Sequence, residues 1–226
     1  MGRYLDARRS DRMPGLPMTA RPVDRATWPR AAQFDFFRTF ERPHFAVTSR
    51  IDLSALMAAQ PRPSPFRAMI HAIGAGVHAV PELRMRLRDG EAVIHDRLRL
   101  SPTIAMENGD FRYAYLDWQD DFSAFDADAS EVIAAIRAGG PLNANDGAVD
   151  DLAFLSCLPW LDFTAIDNAL PHARDSIPRT SWGKIVPKTG GGHDVAVAIQ
   201  VHHALADGRH VGTFFEEVSA RLARFG

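Results

Sequence analysis

Phe66, Met69, Ile70, Ile73, Val77 and Val80 stand at i, i+3, i+4, i+7, i+11 and i+14, which puts all six on one face of an α-helix. Pro81 ends it. An apolar stripe this continuous must be covered by a second layer, and the following segments supply strands. Leu83, Met85 and Leu87 alternate with Arg84, Arg86 and Arg88, and Asp89-Gly90 provides turn chemistry before residues 92–95, so two antiparallel strands are expected. Asn108-Gly109 repeats the device between residues 103–106 and 111–116.

The rest of the chain reads as short elements with clear stops. Thr27 is a candidate helix cap, with Pro29 in the first turn and Phe34, Phe37 and Phe40 along one side. Residues 44–51 form an expected strand, and Asp52 opens a short helix through residue 59, before Pro61, Pro63 and Pro65. A helix over 122–137 ends at Gly139-Gly140-Pro141, and a strand is expected at 152–157. Strands at 182–187 and 194–201 flank Gly190-Gly191-Gly192; Val211, Phe214, Phe215, Val218, Leu222 and Phe225 then stripe a C-terminal helix. Hairpins outnumber βαβ units, so the expected class is α+β, a two-layer fold with a mixed, largely antiparallel β-sheet covered by helices. Residues 26–226 read as one domain. Residues 1–25, rich in Arg and Asp and lacking an apolar stretch of signal-peptide type, read as a flexible N-terminal extension, within which Met13 and Met18 offer later start sites.

Composition removes several function classes. Of the 226 residues 46% are hydrophobic, enough to bury a sizeable core. Lys plus Arg number 26 against 28 Asp plus Glu, and the net charge of -2 gives no field to attract nucleic acid or an anionic membrane. The longest uncharged run, 68–81, carries two histidines and two glycines and is too short to span a bilayer. The one cysteine, Cys157, has no intramolecular disulfide partner, which fits a reducing cytoplasm.

The sharpest constellation is Gln200-Val201-His202-His203-Ala204-Leu205-Ala206-Asp207-Gly208. Strand alternation puts His203 with Val197, Ile199 and Val201, and His202 with Ala198 and Gln200. The two imidazoles therefore diverge, which argues against a metal site, and no Cys or carboxylate has ligand spacing to help. An imidazole at the end of an apolar strand is desolvated, and desolvation favours the neutral ring that a base requires. A lone strand-end histidine is more commonly structural, but this context is not a lone one. His-His-x-x-x-Asp-Gly is shared by chloramphenicol acetyltransferases, peptide-synthetase condensation domains and, more loosely, the acyltransferase cores of 2-oxoacid dehydrogenase complexes, all of which move acyl groups from thioesters. Condensation domains are about twice this long, and the absence of a lipoyl domain or linker weakens the dehydrogenase-complex reading.

Further blocks resemble the chloramphenicol acetyltransferase family in order and spacing. Pro81-Glu82-Leu83-Arg84-Met85-Arg86 with 89–96 is similar to its helix exit and hairpin. Ser156-Cys157-Leu158-Pro159-Trp160-Leu161-Asp162-Phe163-Thr164 is similar to its serine-containing strand, and Trp28-Pro29-Arg30 with Phe34-Asp35-Phe36-Phe37 to its first helix. The resemblance covers residues 26–224. It implies an O-acetyltransferase using acetyl-CoA as co-substrate, without a metal, built as a homotrimer with active sites between subunits. Chloramphenicol or a related small alcohol would be the acceptor. His203 would be the general base and Ser156 the oxyanion donor. Asp207 and Arg30 would form a structural ion pair shaping the loop after the base, with the His203 ring oriented largely by its own backbone carbonyl.

Lys184 and Arg62 match positions that help hold coenzyme A, their alternative being solvated surface charge. Ser181 matches a threonine that orients a water near the oxyanion, Thr180 being the other alignment. Phe36, Phe37, Phe45 and Phe111 fall on or near acceptor-pocket positions and, taken alone, read as core aromatics. The segments 42–46 and 106–116 depart from the resistance enzymes, so a different acceptor alcohol stays open. Gly74-Ala75-Gly76-Val77-His78-Ala79 spells a dinucleotide fingerprint but sits inside a helical stripe. Cys157 has no identifiable cationic partner to make it a nucleophile, and no Gly-x-Ser-x-Gly elbow is present. A rival of another class is a non-catalytic trimeric binding protein that kept the fold.

Overall fold

In a computed structural model describing residues 20–142, 145 and 149–225, the apolar stripe is helix α3, Pro65–Ala79. Ser64 caps it, its hydroxyl accepting from the Arg67 amide at 3.4 Å. Every residue from Ala68 to Val77 is buried, because α3 runs between the main sheet and the C-terminal helix α5, Gly208–Ala223. Enclosure on all sides explains Gly74 and Gly76. A Cβ on Gly74 would lie 2.2 Å from the Trp118 ring, and one on Gly76 would lie 2.8 Å from Phe214 and Val218. The glycine pattern is therefore helix packing, with no phosphate cradle in it.

Ahead of α3 come β1 (Ala20–Pro22), α1 (Ala31–Phe37), β2 (His44–Asp52) and α2 (Ser54–Ala58). Behind it a 3-10 turn, Pro81–Arg84, leads into β3 (Met85–Arg88) and β4 (Glu91–His95), joined where Asp89 and Gly90 both adopt positive φ, at 50° and 83°. Next follow β5 (Arg99–Ala105), β6 (Phe111–Tyr113), β7 (Leu116–Asp117), α4 (Phe122–Arg137), β8 (Leu152–Cys157), β9 (Arg179–Pro187) and β10 (His193–His202). The main sheet has the order β2-β10-β9-β8-β5-β6, with β7 also on β5; a second sheet has the order β1-β4-β3. Pairings are antiparallel except that β8 runs parallel to both β5 and β9. The mixed, largely antiparallel α+β architecture is the one expected.

Three local expectations change. Ala20–Pro22 pair with β4 and Val23 packs with them, so residues 20–23, expected in a flexible extension, belong to the small sheet; residues 1–19 lie outside the described residues. Thr27 does not cap a helix, because its hydroxyl turns back to Asp24 and α1 starts only at Ala31. The second hairpin stops at Tyr113, and residues 116–117 swing back onto the start of β5.

The two faces of the main sheet are unlike. Leu100, Ile104, Ala153, Leu155, Trp182, Val197, Ile199 and Val201 turn one face into the large apolar cluster under α3, α4 and α5. In register, Ser101 and Thr103 on β5, Phe154 and Ser156 on β8, Ser181 on β9, and Ala198 and Gln200 on β10 share the other. A second apolar cluster joins Trp28 and Phe34 to Met85, Ala92 and Ile94 of the small sheet and to Ala204 and Leu205. The small sheet thus supports the turn that follows β10.

Gly74→Ala tests the close packing of α3. Ala favours helix by about 1 kcal/mol over Gly, yet the buried overlap with Trp118 costs about 1–3 kcal/mol, so urea denaturation should show a net loss of stability or, at best, no gain.

Candidate active site

His203 is the first residue beyond β10. Its amide donates to the Pro43 carbonyl at 2.8 Å, so the chain leaves the sheet along a fixed path. Its ring stacks on Phe37, centroids 3.9 Å apart and planes 8° apart, and lies against Phe45 at 4.7 Å. Nδ1 is 3.1 Å from the Ala206 carbonyl. A carbonyl can only accept, so Nδ1 carries a proton, and in a neutral ring the lone pair is then on Nε2. The orienting carbonyl is that of Ala206, three residues on, and not the ring's own, as the family resemblance implies.

His203's own carbonyl has another partner. Arg30 Nη2 donates to it at 3.0 Å, Nε donates to the Leu205 carbonyl at 3.1 Å, and Nη1 pairs with the Asp207 carboxylate. One guanidinium therefore spans alternate residues of the turn 203–207. Asp207 also caps α5, accepting from the Arg209 amide at 3.0 Å, while its own amide donates to His210 Nδ1 at 3.1 Å. Partial burial pushes the Asp207 carboxyl up, but His210 and Arg30 outweigh it and hold the group below the usual carboxylate range. Asp207 does not touch the His203 ring through any hydrogen bond found among the described residues.

His202 points the other way. Its Nδ1 accepts from the Ala204 amide at 3.2 Å and its Nε2 donates to the Ala173 carbonyl at 3.1 Å. Gln200 reaches the same long loop: Nε2 donates to Asp167 at 2.7 Å and Oε1 accepts from the Asn168 amide at 3.0 Å. His44 Nε2 adds a bond to the Asp175 carbonyl at 2.5 Å. These three side chains hold the connection between β8 and β9 across the polar face of the sheet. Sequence reading passed over Gln200, His44 and Asp175, although the alternation along β10 had put Gln200 and His202 on one face.

Beneath that loop lies a cavity of about 580 Å³, lined among others by Ser101, Thr103, Tyr113, Ser156, Thr180 and Ser181. Ser156 and Ser181 are directly paired across β8 and β9. Thr180, the other alignment for the water-orienting position, belongs by alternation to the opposite face of β9, and Ser181 to the face of Ser156. The hydroxyl oxygens of Ser101 and Ser181 are fully buried, with no hydrogen-bond partner among the described residues. Cys157, next along β8, turns away; burial pushes its thiol up to about 12, which disfavours the thiolate a nucleophile needs.

The four aromatics split between two places. Phe37 and Phe45 flank His203, and Phe36 lies edge-on to Phe37 with 60% of its surface exposed. Phe111 is on β6, 43% exposed and edge-on to Tyr113 at the cavity. The core reading therefore fails for Phe36 and Phe111. Arg62 and Lys184 are exposed and enter no ion pair among the described residues. The Phe66–Trp182 ring contact at 5.7 Å ties the start of α3, four residues after Arg62, to β9, where Lys184 lies. Among the described residues no group of three or more His, Cys, Asp or Glu could hold a metal ion, and no helix is long and apolar enough to cross a membrane.

His203 and Ser156 do not meet within one chain. Ser156 is level with Ser181 and Ala198, and His203 follows Ala198 by five positions. That separation is about 17 Å along the strands and about 10 Å across two of them. The His203 ring also packs with Phe45 on the helix-covered side, whereas Ser156 opens to the polar side.

Comparison with known proteins places this mixed α+β fold in a family. The chloramphenicol acetyltransferase family profile matches residues 18–219. A chloramphenicol acetyltransferase of Klebsiella sp is 29% identical over 200 residues, covering 87% of this chain and 90% of that protein. A solved chloramphenicol acetyltransferase superposes with a TM-score of 0.80 at 26% identity, covering 90% of this chain and 100% of the other. A probable dihydrolipoamide acetyltransferase from Listeria monocytogenes, at 14% identity and TM-score 0.67, shares the fold. The chain belongs to the chloramphenicol acetyltransferase family and is an acetyltransferase of that type.

Burial is the main cause that lowers the His202 pKa from 6.5 to about 4, assisted by the neighbouring His44 and opposed by Asp175. The unfolded chain therefore binds more protons than the folded one between those values, and stability falls as pH drops from about 6.5 towards about 4. His202→Gln, which cannot titrate, should flatten that limb in denaturant titrations from pH 7 to 4. An unchanged slope would assign the acid sensitivity to other groups, such as His78, which burial also lowers to about 4.

Proposed function

We propose that this chain transfers the acetyl group of acetyl-CoA to the hydroxyl of chloramphenicol or a related small alcohol, in a homotrimer whose active sites lie between subunits. The observation that carries the reading is the His203 ring: Nδ1–H is committed to the Ala206 carbonyl, and Nε2 is free to accept a proton. The division of the site supports the trimer. His203 with its aromatic collar forms one half, and Ser156 with the polar cavity forms the other, too far away in the same chain to share a substrate.

In this mechanism the alcohol and acetyl-CoA are bound together, and the neutral His203 takes the hydroxyl proton as the oxygen attacks the thioester carbonyl. Negative charge builds on the former carbonyl oxygen, where the Ser156 hydroxyl donates; Ser181 is the residue assigned to position a water beside it. Cleavage of the carbon–sulfur bond then releases thiolate, which recovers the proton from His203. No acyl-enzyme forms. Arg30 and Asp207 act on the base only by holding its turn. Arg62 and Lys184 are assigned to the phosphates of coenzyme A, since both are exposed cations free of carboxylates among the described residues. A reducing cytoplasm is the compartment we assign.

Thiol release from acetyl-CoA, followed with and without chloramphenicol, tests the activity. His203→Ala should lower kcat by about 10²–10⁴-fold, and Ser156→Ala by about 10²–10³-fold, both with acetyl-CoA binding retained. Near-normal turnover by His203→Ala would refute the assignment.

A further inference from the structure

We infer that the acceptor is a hydrophilic alcohol carrying an anionic group, and that Arg174 is the residue that selects it. The inference rests on the acetyltransferase reading above and goes beyond it by naming the acceptor's chemistry. It starts from the lining of the cavity that contains Ser156. On the sheet side the half-buried Thr103, Tyr113 and Ser156 bring hydroxyl-bearing side chains to it. The Ser101 and Ser181 oxygens are sealed beneath that lining and are not counted among its donors. Hydroxyls that line a cavity favour an occupant that can hydrogen-bond and disfavour one that cannot.

The charges of the lining are unequal once their partners are counted. Asp150 is held by Arg88, at 2.8 Å from its Nε, and by His95 at 2.9 Å. Asp175, itself buried, is bound by two nitrogens of Arg179, at 3.0 and 2.7 Å. Both carboxylates are thereby neutralised. Arg174 also lines the cavity, is exposed at its rim, and has neither a carboxylate nor a hydrogen-bond partner among the described residues. Its neighbours are fixed, because the Ala173 carbonyl is tied to His202 and the Asp175 carbonyl to His44. A guanidinium carried on backbone thus fixed, at the rim of a cavity lined by hydroxyls, offers a two-pronged site for a carboxylate or similar anion. Chloramphenicol can hydrogen-bond the hydroxyls but is neutral and offers Arg174 no carboxylate.

The cavity volume of about 580 Å³ accommodates a sugar-sized molecule, so the probes are glucose, glucuronate and chloramphenicol. Glucose and glucuronate differ at one carbon, a hydroxymethyl against a carboxylate. Titration calorimetry on the full-length protein should show glucuronate binding at least about tenfold more tightly than either neutral compound. Arg174→Met should remove that advantage while leaving glucose binding unchanged, and added salt should weaken glucuronate alone. Three results would overturn the proposal: chloramphenicol or glucose binding as tightly as glucuronate, a preference for the acid that survives Arg174→Met, or no binding of the acid at all. Thiol release by the wild type and not by His203→Ala, measured with the same three alcohols, reports separately on the transferase reading. A protein that binds and acetylates chloramphenicol best keeps that reading and loses this one; a preference for the acid with no turnover does the reverse.

Discussion

Arg30 holds together the part of the molecule on which the chemistry depends. A turn that carries a base must present its ring while its carbonyls point somewhere, and three consecutive odd-numbered residues, 203, 205 and 207, all direct acceptors at this one guanidinium. A planar fork with several donors suits that geometry, and a lysine ammonium does not. Ala204 and Leu205, between those anchors, are buried against Trp28, Phe34 and the small sheet. The first helix, the N-terminal strand and the β3–β4 hairpin are thus organised around the exit of β10. Because Asp207 also caps α5, the same clasp connects the base to the main core through Val211, Phe214 and Val218.

Sequence pattern revealed the elements much better than their assembly. The α3 stripe, the Asp89-Gly90 turn, α4 and β8 are visible because hydrophobic period and turn chemistry are local properties. Parallel pairing of β8 with β5 and β9 is not, since strands joined by long connections leave no local mark of their register. The small sheet was half visible: its hairpin was read correctly, but its third strand lay in a segment whose polar composition resembles a tail. Thr27 and Pro29 mimicked a helix start that a turn at Asp24 takes over.

For the site, His203, Asp207 and Arg30 could be picked out because a short motif and a nearby block carry them. Gln200, His202 and His44 could not be given their role of tethering the loop between β8 and β9, because their partners, mostly backbone groups, lie in a segment with no periodicity. The aromatics were found as a set, and only coordinates divide Phe36, Phe37 and Phe45 from Phe111. That division follows from a sheet with two unlike faces. One face is sealed by helices and carries the base at its rim; the other is polar, covered by a loop, and carries Ser156.

A catalyst whose two halves lie on different ends and faces of one sheet must complete itself with another copy. Mixed trimers measure this directly. His203→Ala and Ser156→Ala chains, each inactive alone, are to be co-refolded in equal amounts and assayed for thiol release with the best acceptor. Random assembly gives one intact site in each mixed trimer, so about a quarter of the wild-type rate should return. A mixture as inactive as its parents, in trimers shown to contain both chains, would mean that base and serine serve within a single subunit or not at all.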